Sequence, residues 1–140
     1  MSYKIITKYI RDLSFEIIDS KTYFLIEKDI KNYRFICDIN SNKIKESILQ
    51  VNVNLRLEPK EKNYNKNIHV SVELASIIQI EGKIEKAELE KIILIKVPTD
   101  IYPEIRNIII FLFEKSGFKK INIDENIDFL KLYETKKSQK

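Results

Sequence analysis

Residues 97–118 read VPTDIYPEIRNIIIFLFEKSGF, and how that stretch is covered decides the fold. Pro98 and Pro103 frame its start, and Pro103 suits the first turn of a helix, where a missing N–H costs nothing. Glu104 then sits near the positive end of the helix dipole, and Gly117 stands where the helix is expected to stop. Between them Ile105, Ile108, Ile109, Ile110, Phe111, Leu112 and Phe113 leave almost no polar face. A helix apolar all round must be covered on more than one side. The run is too short to cross a bilayer, so the expected cover is protein. A single small sheet covers one side only, which points to an oligomer that sandwiches this helix between subunits.

Working outward, Glu85 to Lys96 has helical spacing, with Leu89, Ile92, Ile93 and Val97 on one side. Further towards the N-terminus the period changes to two. Ile68, Val70, Val72 and Leu74 alternate against His69, Ser71 and Glu73, and the strand continues through Ile77, Ile78 and Ile80. Leu49, Val51, Val53, Leu55 and Leu57 alternate with Gln50, Asn52, Asn54 and Arg56, the cleanest strand in the chain. Residues 59–66, PKEKNYNK, form a polar hairpin loop between the two. Tyr33, Phe35, Cys37 and Ile39 give a third strand, closed by a turn at Asn40-Ser41-Asn42. Tyr23 to Ile26 is a short apolar run after a turn at Asp19-Ser20-Lys21, and Tyr3 to Ile18 is a long first strand with a bulge near Asp12.

On the far side of the helix, Ile121 to Asn126 is an extended connection. Ile127, Phe129, Leu130 and Tyr133 then make a short terminal helix. Strands precede helices, so the fold class is α+β, a four-stranded antiparallel sheet followed by helices, with neighbours paired through hairpins. Residues 1–133 are expected to be one domain and residues 134–140 a disordered lysine-rich tail.

Composition excludes several functions. The chain has 140 residues, 44% hydrophobic and 33% charged, ordinary values for a globular domain. Two glycines, Gly82 and Gly117, rule out a glycine-rich phosphate loop. One cysteine, Cys37, rules out an internal disulfide or a thiolate zinc site within one chain, and the lone His69 cannot complete a metal site. Ser14 beside Asp12 and Glu16 has no histidine base near it in sequence, so no catalytic triad forms there. The net charge of +4 is spread through interleaved pairs such as Lys83-Ile84-Glu85-Lys86, a solvated face rather than a basic stripe. No apolar leader follows the start, so the cytoplasm is the expected compartment.

Three motifs resemble the SecB family of protein-export chaperones. Tyr9-Ile10-Arg11-Asp12-Leu13-Ser14-Phe15-Glu16 resembles the family's first-strand signature. Val97-Pro98 through Tyr102-Pro103-Glu104-Ile105-Arg106 resembles its proline-framed segment, and Gly117-Phe118 with Ile121-Asn122-Ile123 and Ile127-Asp128-Phe129 resembles its ending. The motifs fall in the family's order across nearly the whole chain. The resemblance implies a non-enzymatic, ATP-independent holdase without cofactors. Such a protein binds unfolded polypeptides in hydrophobic grooves and passes them to the motor SecA of the secretion translocase. Its protomers join sheets into dimers, and two dimers pack through the long helix into a homotetramer.

Carried onto this chain, that implies a tetramer interface at Ile105, Ile108, Ile109 and Leu112, and SecA contacts at Asp12 and Glu16. Four residues apart, those two carboxylates share one face of a regular strand. The aromatic candidates for the client groove are Phe24, Tyr33, Phe35, Tyr102, Phe118 and Phe129. His69 and Ser71 depart from the family, which carries an apolar and an acidic residue there, and the basic net charge departs too. Those departures leave two alternatives beside the general export chaperone. One is a SecB-like chaperone dedicated to a narrow client such as an antitoxin. The other, of a different class, is a basic oligomer that binds nucleic acid.

Overall fold

Asp19 does more than turn the chain. In the computed structural model, which describes residues 3–61, 67–118 and 121–138, its carboxylate accepts the backbone N–H of Thr22 at 2.8 Å and opens a helix, α1, over Ser20–Asp29. The expected turn and short apolar run at this place are therefore corrected to a capped helix. Thr22 and Ile26, four residues apart, face inward, while Tyr23, Phe24 and Leu25 face solvent. The strict order of strands before helices falls with it, because α1 lies between the first strand, β1 (Tyr3–Ile17), and the second, β2 (Tyr33–Lys45).

The remaining strands are β3 (Ile48–Pro59) and β4 (Ile68–Ile80), and all pairs are antiparallel in the order β1-β4-β3-β2. Consecutive strands pair from β2 to β4, but β1 pairs with β4 and not with its sequence neighbour. The expected hairpin between the first two strands is replaced by a crossing connection that carries α1. The β2–β3 turn falls at Glu46-Ser47, where Ser47 has φ +66°, and not at Asn40-Ser41-Asn42. Those three residues lie inside β2, and Asn40 accepts a hydrogen bond from the Asn52 side chain at 2.7 Å. Most of the polar loop read at 59–66 lies outside the described residues.

The bulge expected near Asp12 is present, between Ile10 and Asp12, and a second sits between Ile5 and Thr7. Each bulge inserts a residue and resets which side chains share a face. As a result Tyr3, Ile5, Ile10, Leu13, Phe15 and Ile17 all pair with the inward residues of β4, from Ile80 to Ile68. Lys8 shares that face, opposite Ser76.

Helix covers the inner face of the sheet. α2 (Lys86–Lys91) passes through a π-helical turn, Ile92–Lys96, into α3 (Val97–Lys115). Pro98, not Pro103, occupies the first turn of α3; Pro103 lies inside it. Val97, Ile101, Ile105, Ile109 and Phe113 recur at every fourth position and are buried against β3 and β4. Each such side chain stabilises the fold by roughly 1.5–3 kcal/mol. Gly117, at φ +92°, ends the helix as expected, with Phe118 N–H donating back to Phe113 C=O at 3.1 Å. Residues 121–128 run without regular structure to α4 (Phe129–Ser138), whose first turn Asp128 caps by accepting Lys131 N–H at 3.0 Å. The boundary read at Tyr133 thus falls within α4, which continues to Ser138.

Candidate functional site

Five rings form a row from solvent to core. Phe24 on α1 meets Tyr23 at 5.7 Å between centroids, Tyr23 meets Phe118 at 5.2 Å, Phe118 meets Phe113 at 5.7 Å, and Phe113 meets Phe15 of β1 at 5.1 Å. Phe24 is 82% exposed, an extreme value for a phenylalanine, and Phe118 is half-buried. Ile18 and Leu25 add exposed apolar surface at the outer end. Two of the six sequence candidates, Phe24 and Phe118, are therefore joined through Tyr23, which the sequence reading missed. The usable signal was Gly117: a Cβ there would lie 2.5 Å from the Tyr23 hydroxyl, so the glycine makes room for the ring.

The other four candidates lie elsewhere. Tyr102 and Phe129 stack edge to face at 6.2 Å and are both buried. Tyr33 is buried and its hydroxyl accepts Asn67 N–H at 3.1 Å, while Phe35 is half-buried beside it on β2. In a single chain, then, Tyr33, Tyr102 and Phe129 belong to the core rather than to an open groove. A cavity of about 120 Å³ remains between β2 and α4, lined by Cys37, Ile39, Leu94, Phe129, Leu132, Tyr133 and Lys136. Burial pushes the Cys37 thiol up to about 11, which keeps it neutral and unreactive at physiological pH.

Helix α3 divides its apolar residues between the chain's own sheet and an open flank. Ile105 and Ile109 are 0% exposed because they face the chain's own sheet, so they are not available to a second subunit as the sequence reading placed them. Ile108 and Leu112 are only half-buried, and Phe111, absent from the expected set, is 55% exposed. Beside them a cavity of about 450 Å³ opens between α3 and β1, lined by Lys8, Tyr9, Ile10, Leu74, Glu104, Asn107 and Ile108. Lys8 and Glu104 make an ion pair of 2.6 Å across it. Ile10 and Leu13 extend this apolar surface along the edge of the sheet.

The outer face of the sheet is polar. Asp12 pairs with Glu73 across β1 and β4, and Glu16 with His69, so both carboxylates do share one exposed face. The bulge ends just before Asp12, which leaves Asp12 to Glu16 in regular register. Arg11 binds Glu73 at 2.5 Å, and Arg56 binds Asp38 and Glu58. Among the described residues neither Asp12 nor Glu16 has an ion-pair partner. No group of three or more metal-ligating side chains converges among those residues.

A sheet with one polar face, helices on the other and apolar surface left exposed at its edges defines a binding domain. The chain belongs to the SecB family: the family described as preprotein translocase subunit SecB matches residues 1–140. Its members are chaperones, not enzymes. A Pelagibacter ubique (strain HTCC1062) chain that carries the SecB protein-export name is 38% identical over 133 residues, covering 94% of each chain. The protein-export protein SecB of Burkholderia lata is 28% identical over 131 residues, 94% of this chain and 79% of that one. Among solved structures, the SecB-like chaperone Rv1957 of Mycobacterium tuberculosis, in complex with a ChAD peptide from the HigA1 antitoxin, superposes with a TM-score of 0.63 at 11% identity. The match covers 88% of this chain and 90% of that one. At that identity the likeness is one of fold.

Proposed function

We propose that this chain is a cytoplasmic, homotetrameric holdase that binds unfolded preprotein segments on apolar surface and hands them to SecA. Residues 1–133 supply the single chaperone domain, whose last helix, α4, carries on to Ser138. The observation that carries the reading is the ring row ending in exposed Phe24. A client side chain can add one more ring to a stack already anchored in the core, and such pairs are worth about 0.5–1.5 kcal/mol beyond burial. Modest affinity per site, multiplied over several subunits, suits a protein that must accept many sequences. The export name carried by the curated relatives favours a general export client over a dedicated one.

For assembly, the surface made by Ile10, Leu13, Ile108, Phe111 and Leu112 is the candidate contact between subunits. For docking to SecA, Asp12 and Glu16 offer two carboxylates on one exposed face, without ion-pair partners among the described residues, with His69 and Ser71 opposite Glu16 and Ser14. Size exclusion with light scattering, with and without a permanently unfolded polypeptide, tests the reading. A tetramer that co-elutes with the unfolded chain and ignores its folded form is the expected result. A monomer that ignores both would leave only a shared fold. Asp12→Lys with Glu16→Lys is expected to abolish SecA binding in calorimetry while client binding persists.

A further inference from the structure

A single imidazole interrupts the acidic end of the outer face. His69 is the only histidine of the chain and lies half-buried on β4, directly across from Glu16 of β1. Opposed residues of an antiparallel pair bring their Cβ atoms to about 4.5–5.5 Å, so a charge on one is felt by the other. The carboxylates around this pair are engaged: Arg11 binds Glu73, and Arg56 binds Asp38 and Glu58. Asp12 and Glu16 make no ion pair among the described residues, and of these two only Glu16 has an imidazole opposite; Asp12 stands across from Glu73.

Histidine is the side chain whose charge ordinarily changes between about pH 5 and 8, whereas aspartate, glutamate, lysine and arginine keep theirs across that window. The described charged groups around His69 therefore act as a fixed background. On β1 this is Glu16, and on β4 itself it is Glu73, four residues along and held by Arg11. On β3 the outward residues at this end are Arg56, opposite Ser71, and Glu58, which bind each other. On β2, Arg34 stands opposite Glu58. We propose that His69 sets the pH response of the docking surface. Neutral, it leaves Glu16 open to a cationic side chain of the partner; protonated, it engages Glu16 itself and repels that cation. Resting on the docking of SecA at Asp12 and Glu16, this makes the group that meets Glu16 a basic one. It also makes proton release part of docking, because a partner that prefers the neutral imidazole must shift it towards that form.

Calorimetric titration of the full-length oligomer with purified SecA between about pH 5.5 and 8 tests the switch. The natural chain is expected to bind about two- to fivefold more weakly at the acid end, the range of one exposed charge pair. Within the same window its binding heat is expected to vary with the ionisation enthalpy of the buffer, in the sense of protons released. His69→Gln, neutral at every pH, is expected to hold the tighter affinity throughout and to release fewer protons than the natural chain. His69→Lys, charged at every pH, is expected to hold the weaker affinity throughout. Both substitutions lie on the polar face, and a native circular dichroism spectrum checks that each variant is folded. A natural chain whose affinity ignores pH overturns the switch, and so does a His69→Gln variant that keeps the natural pH response and proton release. In either case the docking surface itself stands. No binding of SecA by the natural chain across the window overturns the docking reading beneath it.

Discussion

Gly117 is the residue on which α1 and α3 meet. Its φ of +92° and the Tyr23 hydroxyl, 2.5 Å from where a Cβ would stand, both exclude a side chain. Gly117→Ala is expected to cost about 1–3 kcal/mol in urea unfolding and to push Tyr23 out of the ring row, read as faster hydrogen exchange in α1. An unchanged exchange pattern would mean that the row does not depend on this contact. Ser76 presents the opposite case. Its hydroxyl is wholly buried without a hydrogen-bond partner among the described residues, opposite Lys8 and Val51. Ser76→Ala is expected to leave stability unchanged or raise it by about 1 kcal/mol, because an unsatisfied group is removed from the core. A clear loss would show that the hydroxyl has a partner after all.

At the scale of elements, α1 stands on its cap. Hydrogen bonds from Thr22 hold the Asp19 carboxyl below its ordinary value of 3.8. A depressed carboxyl contributes its stability above the unfolded value and loses it as pH falls through the folded one. Exchange in α1 is therefore expected to accelerate relative to β3 as pH drops from about 4, and Asp19→Asn is expected to flatten that response. The sequence alone could not settle α1: four apolar residues carry no clear period, and Asp-Ser-Lys serves a turn as well as a cap. What decides it is non-local, the burial of Ile26 in the same core that takes Tyr33. By contrast β3 and β4 were legible residue by residue, since each has one wet face and one dry one. The shared face of Asp12 and Glu16 followed from their four-residue spacing, which holds because the bulge ends before Asp12, whereas the burial of Tyr102 and Phe129 depends on where α4 lands.

For the whole molecule, the helix first read as apolar all round proves to serve two masters. Its inner stripe belongs to its own sheet and its outer flank, with Phe111, is open. Ile109→Asp is therefore expected to unfold the chain outright, leaving an uncompensated charge in the core at a cost of about 3–5 kcal/mol. Phe111→Asp is expected to keep a native circular dichroism spectrum yet elute as a smaller species in light scattering. A folded Phe111→Asp variant that stays tetrameric would move the subunit contact elsewhere. The strand order was not legible either. Tyr3 pairs with Ile80 and Ile17 with Ile68, partners that no local pattern can name. Such distant pairing raises the contact order of the fold and is intrinsically slow to form.

The π-helical turn at Ile92–Lys96 has a consequence for orientation. Val97 N–H reaches back to Ile92 C=O, one residue further than α-helical winding allows. Every side chain before the turn is thereby rotated by about 100° relative to an unbroken helix, the angle of one residue. That phase shift brings Ile92, five residues before Val97, into line with the buried stripe that runs on to Phe113, and leaves Leu89 and Ile93, at the every-fourth-residue spacing, only half-buried. One extra residue acts as an angular gear between the two halves of a single rod, letting each half address a different part of the same twisted sheet.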